Sequence, residues 1–254
     1  MVIFVLLIPL YLFIAQDAAG RTPNTPALSL DDRIPLQPAW VLVYGSLYLF
    51  LILLPVFVVR QEGHIRRTVF AYLAVWTTAY VWFFFYPTVA PRPDNPVVGG
   101  GFPAWGLRFL YEADPPYNCF PSLHVAHSVV SALSSYRVHR GLGVGAAACA
   151  LVVGVSTLFT RQHYVLDVVA GIFLAAVAYT VFLRQVPRQD VPEFDRRAAP
   201  ALAVVVAGIV VVGIGCYFAL YMLGVEISGC SLTRSLRTVR HRGGEAARKP
   251  RLRD

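Results

Sequence analysis

The chain has 254 residues, 57% of them hydrophobic and only 14% charged, with a formal net charge of +8. An ordinary soluble domain is about 25% charged, so this sequence lacks the polar surface of a water-soluble globule and reads as a membrane protein. Its basic residues lie in short connections between apolar runs and in a tail, which fits cytoplasmic loops and anionic lipid and argues against nucleic acid as a partner.

The first run, Met1 to Ala15, is apolar from its first residue and has no basic region of the kind a cleaved signal peptide carries. It is short for a span, which needs about 20 residues. A polar loop, Gln16 to Pro38, follows. The second run covers Trp40 to Val59 and the third Thr68 to Tyr86, with Arg60, His64, Arg66 and Arg67 between them. Pro87 to Phe120 is rich in Pro and Gly and carries Arg92, Arg108, Glu112 and Asp114; it reads as a long loop, and long loops inside compact domains are usually functional. The fourth run, Ser122 to Tyr136, is closed by Arg137, His139 and Arg140. The fifth, Leu142 to Phe159, is rich in Gly and Ala, which lets helices approach closely in lipid. The sixth extends from Tyr164 to Leu183 and ends at Arg184 and Arg188; the seventh covers Ala199 to Leu223.

The expected fold is all-α, a polytopic bundle of six to seven transmembrane helices. Residues 1–38 form a partial first helix and loop, 39–188 the catalytic bundle, 189–224 a linker and last helix, and 225–254 a basic tail expected to be disordered. The Arg-rich connections after the second, fourth and sixth runs share one side, cytoplasmic by the positive-inside rule. The loop after the third run and the starts of the fourth and sixth then share the extracytoplasmic side of a cell membrane. The basic tail conflicts with that scheme, since an odd seventh span puts it outside too.

Two short stretches concentrate the ionisable groups: Cys119-Phe120-Pro121-Ser122-Leu123-His124, and Arg161-Gln162-His163-Tyr164-Val165-Leu166-Asp167. An ionisable side chain inside a span costs about 2.5–3.5 kcal/mol even on lenient scales, so such residues are functional by default. His163 and Asp167 stand four apart on one helix face. The carboxylate can accept the imidazole Nδ1–H and leave Nε2 as base and nucleophile; the blander alternative is an interfacial histidine and a capping aspartate. Ser122 reads as an N-cap. The free amides of that first turn suit a phosphate oxyanion, with His124 beside it, or else form a plain cap. His127, one turn deeper, is expected to be a buried, hydrogen-bonded histidine.

Arg92, in the stiff frame Ala90-Pro91-Arg92-Pro93, offers planar bidentate donors for phosphate, and Arg161 is a second candidate. Headgroup anchoring is the competing role for both. Tyr117, Asn118 and Asp94 read as ordinary loop residues. Cys119, Cys149, Cys216 and Cys230 show no metal-site spacing, and no metal or cofactor is expected. The chain has no HExxH, no P-loop and no acidic cluster for two magnesium ions. It also lacks a transporter's paired broken helices and a G-x-S-x-G elbow.

At Pro121-Ser122-Leu123-His124 and His163-Tyr164-x-x-Asp167 the chain resembles the type 2 phosphatidic acid phosphatase superfamily, membrane relatives of vanadium haloperoxidases, over roughly residues 40 to 185. Leu123 replaces that family's usual glycine, Thr157 its usual arginine after Ser156, and Phe85 the lysine seven residues before Arg92-Pro93. With Tyr86-Pro87-Thr88, the pattern is closer to the branch of fungal inositol phosphorylceramide synthase and its bacterial relatives. The resemblance implies His163 as nucleophile, Asp167 as its orienting partner, His124 as acid for the leaving group and Arg92 as a phosphate ligand. Arg161 is expected to substitute for a lost ligand. The implied substrate is a lipid phosphate or phospholipid, its phosphoryl group passing to water or to an alcohol such as inositol. A catalytically silent lipid-binding protein on the same fold is the reading of another class.

Overall fold

A backbone in hydrocarbon must satisfy its own N–H and C=O groups, and the apolar runs do so as helices. The computed structural model describes residues 2–93, 100–187 and 191–224, with side chains from residue 7 onward. Among the described residues the α-helices are α1 Val2–Ala19, α2 Trp40–Val58, α3 Glu62–Phe85, α4 Phe102–Ala113, α5 Leu123–Val138, α6 Arg140–Phe159, α7 Val165–Ala178 and α8 Glu193–Met222. A 3-10 turn, Asp31–Arg33, precedes α2, and a π turn, Tyr179–Leu183, prolongs α7.

Among the described residues five helices are long and apolar enough to cross a membrane: α2, α3, α6, α7 with its π turn, and α8. The fourth expected span falls on α5, whose 16 residues make a rod of about 24 Å against a hydrocarbon core of about 30 Å. It starts only after Pro121 and carries Ser and His where a full span carries aliphatic residues. The first expected span falls on α1, whose described apolar part is Leu7–Ala19.

The stretch read as one long loop holds α4. Pro103 lies in its first turn, where a missing N–H costs nothing. Ala104, Gly106 and Leu107 are buried, and Phe102 and Trp105 pack on Tyr217 and Tyr221 of α8. Twelve residues are too few to span, and the Pro and Gly around them disguise a helical pattern as turn punctuation.

Helix α5 is the axis of the bundle. Its Ala132 and Val138 join a core with Leu51, Leu54 and Val58 of α2 and Ala146, Ala150 and Val153 of α6. On its other side Ala126 and Val130 pack with Ala71, Tyr72 and Val75 of α3 and Ala175 and Ala178 of α7. Three of its four buried serines, Ser128, Ser131 and Ser134, satisfy their hydroxyls inside the bundle, while the Ser135 hydroxyl has no partner there. Ser128 donates to the His124 carbonyl at 2.7 Å, and Ser134 lies 2.8 Å from Thr68 and 3.1 Å from His64 Nε2.

The bundle has two chemically different ends. At one, Arg67 donates to the Phe182 carbonyl and Gln185, Arg137 donates to the Arg184 and Val186 carbonyls, and Arg60 pairs with Asp195 at 3.5 Å. At the other lie the starts of α5 and α7 with Arg92 and α4. Asp94, Arg188, Cys230 and the basic tail fall outside the described residues. Cys119, Cys149 and Cys216 carry free thiols.

Candidate active site

Helix α6 ends in a turn that delivers His163. Arg161 takes a left-handed backbone, φ 54°, and the Thr157 carbonyl accepts the N–H groups of Gln162 at 2.9 Å and His163 at 3.4 Å. Orphan carbonyls at a helix C-terminus are closed in this way, though the left-handed region is costly for a side chain larger than glycine. The Arg161 guanidinium offsets that cost by donating to the carbonyls of Asp31 at 3.2 Å and Ile34 at 2.5 Å. Asp31 in turn accepts the Val165 N–H at 2.9 Å and the Leu28 N–H at 2.7 Å. In this structure the Arg161 guanidinium is engaged with backbone carbonyls and braces the start of α7.

Ser122 likewise serves the fold. Its side chain caps α5 by accepting the Val125 N–H at 3.4 Å, and its own N–H donates to the Asp167 carbonyl at 3.0 Å. The starts of α5 and α7 are thereby tied together. Gly171 makes the approach possible, since a Cβ there would lie 2.6 Å from the Ser122 carbonyl oxygen.

The result is a chain of three side chains. His124 Nδ1 lies 3.1 Å from His163 Nε2, and His163 Nδ1 lies 3.3 Å from Asp167 Oδ2. Asp167 Oδ2 also accepts the Tyr164 N–H at 2.9 Å. The carboxylate only accepts, so His163 carries its proton on Nδ1 and presents a lone pair on Nε2. It follows that His124 donates its Nδ1–H to that lone pair. His163 is 5% exposed and Asp167 fully buried, and Tyr44 and Tyr48 stand edge-on to the His124 ring at 5.5 and 5.0 Å. The His127 ring lies tilted against Tyr72, centroids 4.2 Å apart, and its Nδ1 is buried without a hydrogen-bond partner.

Arg92 reaches the same corner. One terminal nitrogen donates to the carbonyls of Tyr111 at 3.1 Å and Asp114 at 2.8 Å. The other donates to Gln162 Oε1 and lies 3.8 Å from the Asp114 carboxylate. The guanidinium sits 4.5 Å above the Tyr111 ring. Burial pushes the Tyr111 phenol up to about 12 against the lowering pull of Arg92 and Arg161, so it stays protonated and donates to the Thr160 carbonyl at 2.7 Å. Arg92 Nε and Gln162 Nε2 are both buried without a partner.

At the two positions where the resemblance expects cations, Phe85 is 74% exposed at the end of α3, and Thr157 is buried with its hydroxyl on the Gly154 carbonyl at 2.7 Å. Neither supplies charge to the imidazole pair. The residues that sequence reading passed over are Gln162, Asp31, Tyr111 and Asp114. Adjacency to His163 marked Gln162; nothing local in the sequence marks the other three. Among the described residues no group of three His, Cys, Asp or Glu side chains could hold a metal ion.

A PA-phosphatase related-family protein of Dictyostelium discoideum is 29% identical to this chain over 125 residues, which cover 44% of the chain and 22% of that relative. The chain thus spans about a fifth of the length of the curated relative it matches. No solved structure matches it. The family described as the PAP2 superfamily matches residues 23–181, a stretch that contains Arg92, His124, His163 and Asp167, and the chain belongs to that superfamily.

Proposed function

We propose that this protein is an integral membrane enzyme that takes the phosphoryl group of a lipid phosphate onto His163 and passes it to water or to an alcohol. The observation that carries the reading is the buried Asp167–His163–His124 chain, with a lone pair on His163 Nε2 and a proton on His124 Nδ1 at 3.1 Å. His163 Nε2 attacks phosphorus, the bond to the lipid oxygen breaks, and that oxygen takes the Nδ1 proton of His124 in its imidazolium form, which leaves His124 neutral with its proton on Nε2. In the second step the acceptor's oxygen attacks the phosphohistidine, its proton goes to His124 Nδ1, and His163 departs with its lone pair restored. Asp167 stabilises the imidazole throughout from the far nitrogen.

Attack on one side of phosphorus and proton delivery on the other require the two nitrogens to be on the order of 6 Å apart. The 3.1 Å contact is therefore a resting closure that substrate parts. Tyr44 and Tyr48, edge-on to His124, leave that ring an apolar wall to swing against.

The arginine-rich end of the bundle supports a cytoplasmic assignment for that end by the positive-inside rule, and so an extracytoplasmic site in a cell membrane. In this reading α5, walled in by α2, α3, α6 and α7, counts as a short sixth span, with α1, packed on α3, as a seventh element. The substitutions at Phe85, Thr157 and Leu123 favour the inositolphosphotransferase-like branch and an alcohol acceptor over water.

Detergent-purified protein given labelled lipid phosphates, with and without inositol and other alcohols, tests this. Label on a new product that contains the alcohol supports transfer, and free phosphate supports a phosphatase. Neither product from any donor, short-chain or long, overturns the enzyme reading in favour of a catalytically silent lipid-binding protein. His163→Ala should abolish whichever product forms.

A further inference from the structure

We infer that Gln162 is a phosphate ligand of this site, its side-chain amide donating to a phosphoryl oxygen where the superfamily's usual pattern places cationic side chains. This rests on the phosphoryl-transfer reading above and adds a residue that the family motifs do not include.

The orientation of Gln162 is fixed by chemistry. A guanidinium has donors and no acceptor, so the atom that meets Arg92 must be the Gln162 oxygen, as found. The amide nitrogen is then turned away from Arg92, and it is buried without any hydrogen-bond partner on a residue only 2% exposed. A buried donor left unmade costs about 1–3 kcal/mol, so its persistence beside the nucleophile calls for an acceptor that arrives later. Arg92 Nε is in the same condition. Both orphaned donors belong to one hydrogen-bonded pair, and Gln162 is covalently next to His163.

Charge balance strengthens the need. Phe85 faces outward and Thr157 is uncharged and capped on its own helix. Arg92 has Asp114 at 3.8 Å, and both Nη atoms are engaged with protein acceptors. A phosphoryl group entering this corner meets little free positive charge and must be held by neutral or residual N–H donors. Gln162 contributes two of them on one nitrogen.

Gln162→Glu separates ligation from mere support of Arg92. A carboxylate accepts from Arg92 at least as well as an amide does, so a purely supporting Gln162 tolerates the change. A ligating Gln162 does not, since the variant turns a donor into a negative charge facing phosphate. Thermal stabilisation by orthovanadate and its inhibition of lipid-phosphate turnover are to be measured for the wild type, Gln162→Glu and Gln162→Met, with unfolding temperatures alongside. The expected result is vanadate affinity and kcat/KM lowered roughly tenfold or more in Gln162→Met and about a hundredfold in Gln162→Glu, from proteins that unfold normally. Wild-type vanadate affinity in Gln162→Glu overturns the inference and leaves the enzyme reading standing. If Gln162→Glu does not fold, Gln162→Met decides the matter by the same criterion. A wild type that neither binds vanadate nor turns over any lipid phosphate removes the enzyme reading, and this inference with it.

Discussion

Replacing Gly171 with alanine should separate catalysis from stability. The new Cβ would sit 2.6 Å from the Ser122 carbonyl oxygen, 3.3 Å from Val125 Cβ and 3.4 Å from the Ala126 nitrogen. An ordinary carbon–oxygen contact is about 3.4 Å, slightly inside the carbon–carbon optimum, so α5 and α7 must part by roughly 0.8 Å. His124 rides on α5 and His163 heads α7, so their 3.1 Å contact opens to about 3.9 Å, past hydrogen-bond range. Overpacking costs about 1–3 kcal/mol, while the gain in helix propensity over glycine returns up to about 1 kcal/mol. The net destabilisation is on the order of 0–3 kcal/mol. Substrate parts the two rings further than this in any case, so the loss in rate comes from the changed aim of α5 relative to α7, and misplacing reacting groups by about 1 Å can cost a hundredfold. Thermal unfolding in detergent and lipid-phosphate turnover are the paired assays. Gly145→Ala is the control, because nothing lies within 4 Å of its added carbon. Full turnover in Gly171→Ala would refute the claim that this helix contact sets the imidazole pair.

Asp167→Asn should lower kcat by about 10³–10⁴-fold, because an amide nitrogen facing His163 Nδ1 drives the proton to Nε2 and blocks the lone pair; single-turnover rates check it, and a loss below tenfold would contradict it. Arg161→Ala should lower the unfolding temperature, losing about 1–3 kcal/mol of hydrogen bonding to the Asp31 and Ile34 carbonyls. Its orthovanadate affinity should stay within about twofold of wild type, whereas lost affinity with normal stability would make Arg161 a phosphate ligand. Burial pushes the Cys119 thiol well above its ordinary range, with the Asp167 charge adding to the shift. At pH 8 the folded protein should therefore keep Cys119 unalkylated by iodoacetamide, and peptide mass mapping would show any labelling that contradicts this.

The helices and the His163–Asp167 contact were legible for different reasons. Apolar runs without interior charge favour helices in lipid, so α2, α6 and α7 with its π turn fall close to their expected bounds, whereas α3 begins at Glu62, well before the expected Thr68. His163 and Asp167 were legible because their spacing of four is a helix-face relation. Helix α4 was hidden by the Pro and Gly around it. Asp31 and Tyr111 were hidden because their roles come from contacts across long sequence separations: Asp31 meets Val165, and Tyr111 meets Arg92 and Thr160. Arg161 shows the limit of adjacency. It lies two positions from the candidate nucleophile, yet its left-handed backbone sends the guanidinium back to the turn at Asp31, while the less conspicuous Gln162 faces Arg92.

The most direct test is a rapid acid-free quench of protein mixed with a lipid phosphate labelled at phosphorus, followed by peptide mass mapping. A phosphoryl group on the peptide containing His163, present during turnover and absent in His163→Ala, is the predicted result. Continued turnover with no phosphorylated peptide at any quench time, or with the label on His124, would contradict His163 as the nucleophile.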